Sequence, residues 1–353
     1  MTLNEILTSA TLKGASDIFL ISGIPVTFKI KGMQDRQDSG IMKPDSINEV
    51  IKEIYDVSRR DTYNLDNAVD DDFSFSIRDL GRFRVNIFRQ RGSLAAVIRV
   101  IRFGIPDPAA LGIPENVLSL ADNRTGLVLV TGAAGSGKST TLACMIDRIN
   151  KSREAHIITM EDPIEYLHSH NKSIVTQREV FIDTPGYLES LRSALRESPD
   201  VILLGEMRDF DTISSAITAA ETGVLLFSTL HTSSADNTIN RIVDVFPANQ
   251  QVQVRSQLAQ LIKGVVCQQL VTSVDGTLIP VFEVMKSSPA IHNMIREGKL
   301  HQLESAMQAA SADGMVTMDA SLLDLYEKGR ITKDTLLTSC NNFEFMVKRV
   351  GSR

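Results

Sequence analysis

The chain has 353 residues, enough for two domains of ordinary size, and its 43% hydrophobic and 23% charged residues mark a globular composition. No apolar run reaches the roughly 20 residues that span a bilayer, and the opening MTLNEILTSATLKGASD has no basic segment before an apolar core, so neither membrane insertion nor a signal peptide is expected. A net charge of −6 argues against a nucleic-acid partner held by bulk positive charge, and Cys144, Cys267 and Cys340 form no C-x-x-C pair, so they read as reduced, buried thiols in the cytosol.

The first hundred residues mix short helices and strands. DIFLISG and VTFKIKGM alternate and carry β-branched residues, which predicts two strands joined at Gly23-Ile24-Pro25. KPDSINEVIKEIYDVSRRDTYNL reads as one or two helices after a Pro44-Asp45-Ser46 start. DDFSFSI, GRFRVNIFRQ and LAAVIRVI are three more strands, with hairpin-like separations at Asp79-Leu80-Gly81 and Gly92-Ser93. This pattern predicts an α+β domain over residues 1–103 with an antiparallel sheet. Residues 104–114, GIPDPAALGIP, hold three prolines and two glycines, a linker composition. From 115 to 353 the pattern changes. LVLVTG, AHIITMED, VILLGEM and LLFSTLH are apolar runs alternating with helical stretches, which predicts an α/β domain with a parallel sheet. From NQQVQVRSQLAQLIKGVVCQQL onward the chain reads as mainly helical, apart from a hairpin around Val274-Asp275-Gly276.

GAAGSGKS, Gly132–Ser139, fits G-x-x-x-x-G-K-[ST] between a strand and a helix. Its glycines let backbone N–H groups face a phosphate chain, and the helix dipole favours the same anion. Ala133, Ala134, Gly135, Ser136, Gly137, Lys138, Ser139 and Thr140 are therefore the nucleotide-binding candidates. Lys138 would reach the β/γ-phosphates and Ser139 would ligate Mg²⁺. VILLGEMRD ends a strand in Glu206, either a solvated strand end or, beside a phosphate loop, an acid that holds the metal's water. TMEDPIEYLH places Glu161, Asp162 and Glu165 at another strand end, where one carboxylate could deprotonate water or all three could form an acidic turn. FSTLHTSSADNTINR ends a strand with Thr229, His231 and Thr232, a polar set able to sense a γ-phosphate. Arg82, Arg84, Arg89, Arg91 and Arg99 crowd the last strands of the first domain, and alternation puts Arg82 and Arg84 on one face. They form either a solvated basic face or a source of charge for phosphoryl transfer.

Together these motifs resemble the secretion ATPases of type II and type IV pilus systems, over nearly the whole chain. GASDIFLISGIPVTFKIKG resembles the family's PAS-like N-terminal domain, and RFRVNIFRQRGSLAAVIRVI its arginine-bearing segment. TMEDPIEYLH is similar to the family's Asp box, VILLGEMRD to its Walker B and STLHTSSADNTINRIVDVFP to its His box. AIHNMIREGKL, Ala290–Leu300, resembles the motif of the pilus retraction branch, and no four-cysteine zinc insertion is present. The resemblance implies a PAS-like α+β domain followed by a RecA-like P-loop ATPase domain with a helical C-terminal part. It implies a homohexamer that hydrolyses ATP with Mg²⁺ and powers retraction, or else a low-turnover accessory to a paralogous retraction ATPase. It also implies an inner-membrane platform protein as partner and a cytoplasmic position at the inner membrane. On the same basis Glu165 is the catalytic glutamate with Glu161 as runner-up, Glu206 the Walker B acid, and His231 a His-box histidine. Arg82, Arg84 and Arg99 are the arginines that reach nucleotide across an interface. Ala290, Ile291, His292, Asn293, Met294, Ile295, Arg296 and Glu297 form the retraction motif. Three positions depart from the family's pattern: Val224 for a second histidine, His292 for the motif's first arginine, and Ala133-Ala134 for Pro-Thr.

Overall fold

A computed structural model describes residues 1–30, 32–61, 70–78, 80–101 and 104–351. Residues 62–65 of the expected helical stretch, and Asp79 of the expected hairpin turn, lie outside the described residues. The chain divides into two compact units, Met1–Gly104 with Glu165–Leu167, and Ile105–Ile164 with His168–Arg353.

The first unit opens with helix α1, Leu3–Leu12. Thr2 and Glu5 close a capping box over its first turn: each side chain accepts the other's backbone N–H. Leu3, Ile6, Leu7 and Ala10 then fall on one buried stripe. Strands β1 (Asp17–Leu20), β2 (Thr27–Ile30) and β3 (Met33–Arg36) follow, then helix α2 (Pro44–Ser58), which has Pro44 in its first turn. Strands β4 (Asp70–Ile77), β5 (Gly81–Gln90) and β6 (Ser93–Ile101) complete an antiparallel sheet of order β3-β2-β1-β6-β5-β4. The apolar stripes of α1 and α2 share one core with Ile18, Phe28, Phe73, Phe83 and Ile98. Residues of opposite parity, Arg82 and Arg84 among them, belong to the other sheet face.

The second unit carries helix α3 (Glu115–Leu118), strand β7 (Gly126–Thr131) and helix α4 (Lys138–Ser152). Next come β8 (His156–Glu161), β9 (Ile174–Glu179), α5 (Tyr187–Ala194), β10 (Val201–Leu204), α6 (Phe210–Glu221), β11 (Leu225–Leu230), α7 (Ala235–Asp244) and α8 (Gln251–Leu261). Strands β12 (Ile262–Thr272) and β13 (Leu278–Lys286) precede α9 (Pro289–Glu297), α10 (Leu303–Ala309), α11 (Met318–Glu327), α12 (Lys333–Ser339) and α13 (Phe343–Gly351). The sheet order is β13-β12-β7-β11-β10-β8-β9. Every pair in it is parallel except β12 with β13. The central strands are buried along their whole length, as helix cover on both faces requires.

One expectation is corrected here. IKGVVCQQL is strand, not helix: β12 pairs parallel with β7 on one side and antiparallel with β13 on the other. The β-branched Ile262, Val265 and Val266 suit that doubly paired position, and Gly264 lets the Leu120 side chain approach closely. The helical part proper starts at Pro289. SIVTQREV, given no element by the sequence, supplies the edge strand β9. Among the described residues no helix is long and apolar enough to cross a membrane.

Candidate nucleotide site

Parallel strands end on one edge of a sheet, so four segments arrive there together. The Gly132–Ser139 loop leaves β7, His231 leaves β11, Glu206 leaves β10 and Asp162 leaves β8.

The loop is shaped from below by Gln268 of β12. Gly132 has φ +144°, and a Cβ on it would sit 2.1 Å from the Gln268 carbonyl oxygen. Gly137, at φ +90°, faces Gln268 Nε2 at 2.8 Å in the same sense. The Gln268 amide oxygen accepts the Thr141 hydroxyl at 2.7 Å, pinning the first turn of α4. Lys138 Nζ donates to the carbonyls of Gly132 (2.8 Å) and Ala133 (2.9 Å), so its ammonium lies over the loop. Ala133, Ala134 and Gly135 are exposed, whereas the buried Ser136 hydroxyl has no hydrogen-bond partner among the described residues. Ser139 and Thr140 stand half-buried in the first turn of α4, at its positive dipole end. Beside them is a cavity of 710 Å³ lined by Gly137, Thr140, Gln268, Leu111, Ile279 and Arg330, among others.

Glu206 stands between a histidine and an arginine side chain. One oxygen lies 3.3 Å from His231 Nε2 and the other 2.8 Å from Arg208 Nε. The structure therefore joins two residues that the sequence placed 25 positions apart. Tyr187 of α5 reaches the same edge: a Cβ on Gly205 would stand 2.8 Å from its hydroxyl. Burial raises the Tyr187 pKa well above the usual phenol range, and the negative charges of Asp162, Glu206 and Glu161 raise it further. Its hydroxyl stays protonated, a donor among carboxylates. Neither Gln268 nor Tyr187 carries a motif, and nothing local in the sequence marks either one.

The acidic turn separates into distinct environments. Glu161 ends β8, and its Oε1 accepts the Thr159 hydroxyl at 2.7 Å. Glu165 is exposed and is grouped with the first unit. His168 is pushed down to about 4 by burial, so it is neutral at pH 7 and adds no cation here.

Arg82, Arg84 and Arg99 share a face of the first-unit sheet. Arg84 and Arg99 are register partners on β5 and β6, and Arg82 lies two residues from Arg84. Arg84 binds Asp72 through two hydrogen bonds of 2.9 and 2.7 Å. Arg99 pairs with Asp17 at 3.3 Å, and Arg82 Nη1 contacts Ser76 Oγ at 3.5 Å.

The segment Ala290–Glu297 lies in α9, capped by the Ser288 hydroxyl. Ile291 and Ile295 are buried, Met294 packs against the core, and Ala290, Asn293, Arg296 and Glu297 are exposed. His292 turns toward Ser287, with Nε2 2.7 Å from its hydroxyl. Burial, then the Lys263 and Arg296 cations, hold its pKa below the usual imidazole range. A neutral, internally bonded ring is no substitute for an arginine's outward charge. Val224, in contrast, is removed from the chemistry. It is buried immediately before β11, at the end of the strand opposite His231.

The fold agrees with what comparison finds. A family model described as "Type II/IV secretion system protein" matches residues 1–342. The "Type IV pilus retractation ATPase PilT" of Pseudomonas aeruginosa is 43% identical over 95% of this chain and 96% of its own. The "Type IV pilus ATPase PilU" of the same organism is 38% identical over 99% of this chain and 92% of its own. A solved structure, "Crystal Structure of the Pilus Retraction Motor PilT and Bound ADP", is 44% identical, covers 98% of both chains and superposes with a TM-score of 0.89. The chain belongs to the type II/IV secretion system protein family.

Proposed function

We propose that this chain is an ATP hydrolase that powers the retraction of a type IV pilus. The observation that carries the proposal is its whole-chain likeness to a retraction motor solved with bound ADP, combined with its own intact phosphate loop.

In this reading the β- and γ-phosphates displace the Gly132 and Ala133 carbonyls as partners of Lys138. The unpartnered Ser136 hydroxyl and the backbone N–H groups of the loop donate to the same oxygens. The adenine ring occupies the cavity beside Thr140 and Arg330. The Ser139 hydroxyl and the Glu206 carboxylate are hard oxygen donors of the kind Mg²⁺ takes. When bound, Mg²⁺ would neutralise charge developing on the phosphates. Glu165 is the proposed base for the attacking water, since Glu161 is already engaged by Thr159. His231 holds Glu206 in place and senses the γ-phosphate. Arg82, Arg84 and Arg99 would stabilise the transferring phosphoryl group after release from Asp72, Asp17 and Ser76. The assembly is a homohexamer at the cytoplasmic face of the inner membrane. Its partners are a platform protein of the pilus machine and a paralogous ATPase, and the exposed Asn293 and Arg296 face of α9 is a contact for retraction.

Lys138→Ala tests this directly. It should reduce steady-state ATP turnover at least about a hundredfold and leave cells piliated but unable to twitch. Full turnover in that variant, or retained twitching, would sink the proposal.

A further inference from the structure

Glu283 is a carboxylate where a hydrophobic residue would be expected. It lies on β13 and is 5% exposed. It meets two backbone amides rather than a cation. Oε1 accepts the Ala235 N–H at 2.7 Å, and Oε2 accepts the Met318 N–H at 3.1 Å. Ala235 opens α7 and Met318 opens α11, so one side chain caps two helices from distant parts of the chain.

The α7 cap matters because that helix does not cap itself. Its own N-cap residue, Ser234, makes no capping bond, and its hydroxyl donates to Asp236 instead. The segment that enters α7 is His231–Ser234. Thr232 is tied to the first turn of the helix through Thr238, hydroxyl to hydroxyl at 2.7 Å. His231 in turn lies 3.3 Å from Glu206. The register of the sheet brings these parts level. Glu283 pairs with Cys267, Cys267 with Thr131 and Thr131 with Leu230. Thr131 is the last residue before the phosphate loop, and Leu230 is the last before His231.

We infer that Glu283 is a positioning residue for ATP hydrolysis, holding the His231–Ser234 segment in register with the phosphate loop and tying it to α11. The inference rests on the role given to His231 above. A carboxylate is required because only two acceptor oxygens can meet two N–H donors. A glutamine of the same shape meets one of them and turns its NH₂ toward the other. Either way the helix entered from His231 is no longer held to α11, and the His231–Glu206 contact opens. The phosphate loop, braced separately by Gln268, keeps its shape.

The test compares Glu283→Gln, His231→Ala and the double variant in the full-length protein. Glu283→Gln should lower kcat about tenfold or more while KM for ATP stays within about twofold. The double variant should be no slower than His231→Ala, because both changes act on one step. A normal kcat in Glu283→Gln beside a depressed one in His231→Ala overturns the inference and leaves the site reading intact. So do losses that multiply in the double variant. A normal kcat in His231→Ala overturns the role of His231, and this inference with it. If Glu283→Gln fails to fold, amide hydrogen exchange on the wild type decides. Adding MgADP should change protection at Ala235 and Met318 together. A change at one alone, or at neither, overturns the coupling.

Discussion

A Cβ on Gly132 would stand 2.1 Å from a backbone carbonyl oxygen, that of Gln268 on the neighbouring strand β12. A backbone atom in a doubly paired strand cannot retreat, and φ at +144° already excludes other residues. Gly135 differs. Its φ is +76°, and nothing lies within 4 Å of the space a Cβ would fill. Gly132→Ala should therefore abolish binding of a fluorescent ATP analogue. Gly135→Ala should bind within about threefold of wild type and lose about 1 kcal/mol of stability from the left-handed backbone. Equal affinity for both variants would show that the Gln268 contact does not shape the loop. Sequence spacing marks Gly132 as a motif glycine and leaves Gly135 unspecified, but it does not supply the physical reason. The loop was legible because strand, glycines, lysine and helix are contiguous. Gln268 was not, because its role depends on a strand pairing made 136 residues after Gly132.

At the scale of elements, VILLGEMRD shows two acids with different duties three residues apart. Glu206 follows β10 and faces His231 and Arg208. Asp209 is the N-cap of α6, its carboxylate accepting the Thr212 N–H at 2.8 Å. Asp209→Ala should cost about 1 kcal/mol of unfolding free energy and leave ATP turnover largely intact. Glu206→Gln should do the reverse, with stability nearly unchanged and turnover lost. Urea titration and a phosphate-release assay separate the two, and a matching pattern for both variants would refute the assignment. The same scale shows where local reading fails. SQLAQLIKGVVCQQL carries a helical stretch into a strand without a break, and only pairing with β7 and β13 decides that the strand begins at Ile262. The opposite case is α1. Its Thr2-x-x-Glu5 capping box and the apolar stripe behind it are both local features of the sequence. The parallel core strands were the most legible elements, since each is a short apolar run bounded by turn residues. Their shared C-terminal edge is why Glu206 and His231 could be picked out before their contact was known.

At the scale of the molecule, each compact unit has a core of its own. Leu7, Phe28, Tyr55 and Phe83 belong to one in the first unit, whereas Leu129, Ile158, Ile202 and Leu226 belong to another in the second. Separate cores imply separate cooperative transitions. At about 0.7 kcal/mol per residue, the first unit should melt with about 70 kcal/mol and the second with about 170 kcal/mol. The phosphate loop, Gln268, Glu206 and His231 all lie in the second unit. A ligand that binds only the folded form stabilises it by about 2.7 kcal/mol at a hundred times its Kd. For a unit of this size that corresponds to about 5–10 °C. Differential scanning calorimetry with MgADP should therefore move the larger transition by that amount, and Lys138→Ala should abolish the shift. One transition moving as a whole would show that the two cores unfold together, and a shift confined to the smaller transition would place the nucleotide in the wrong unit. The magnitude carries a further distinction. A shift larger than the measured Kd allows means that nucleotide also drives subunits together, because assembly adds its own mass-action stabilisation and makes the transition depend on protein concentration.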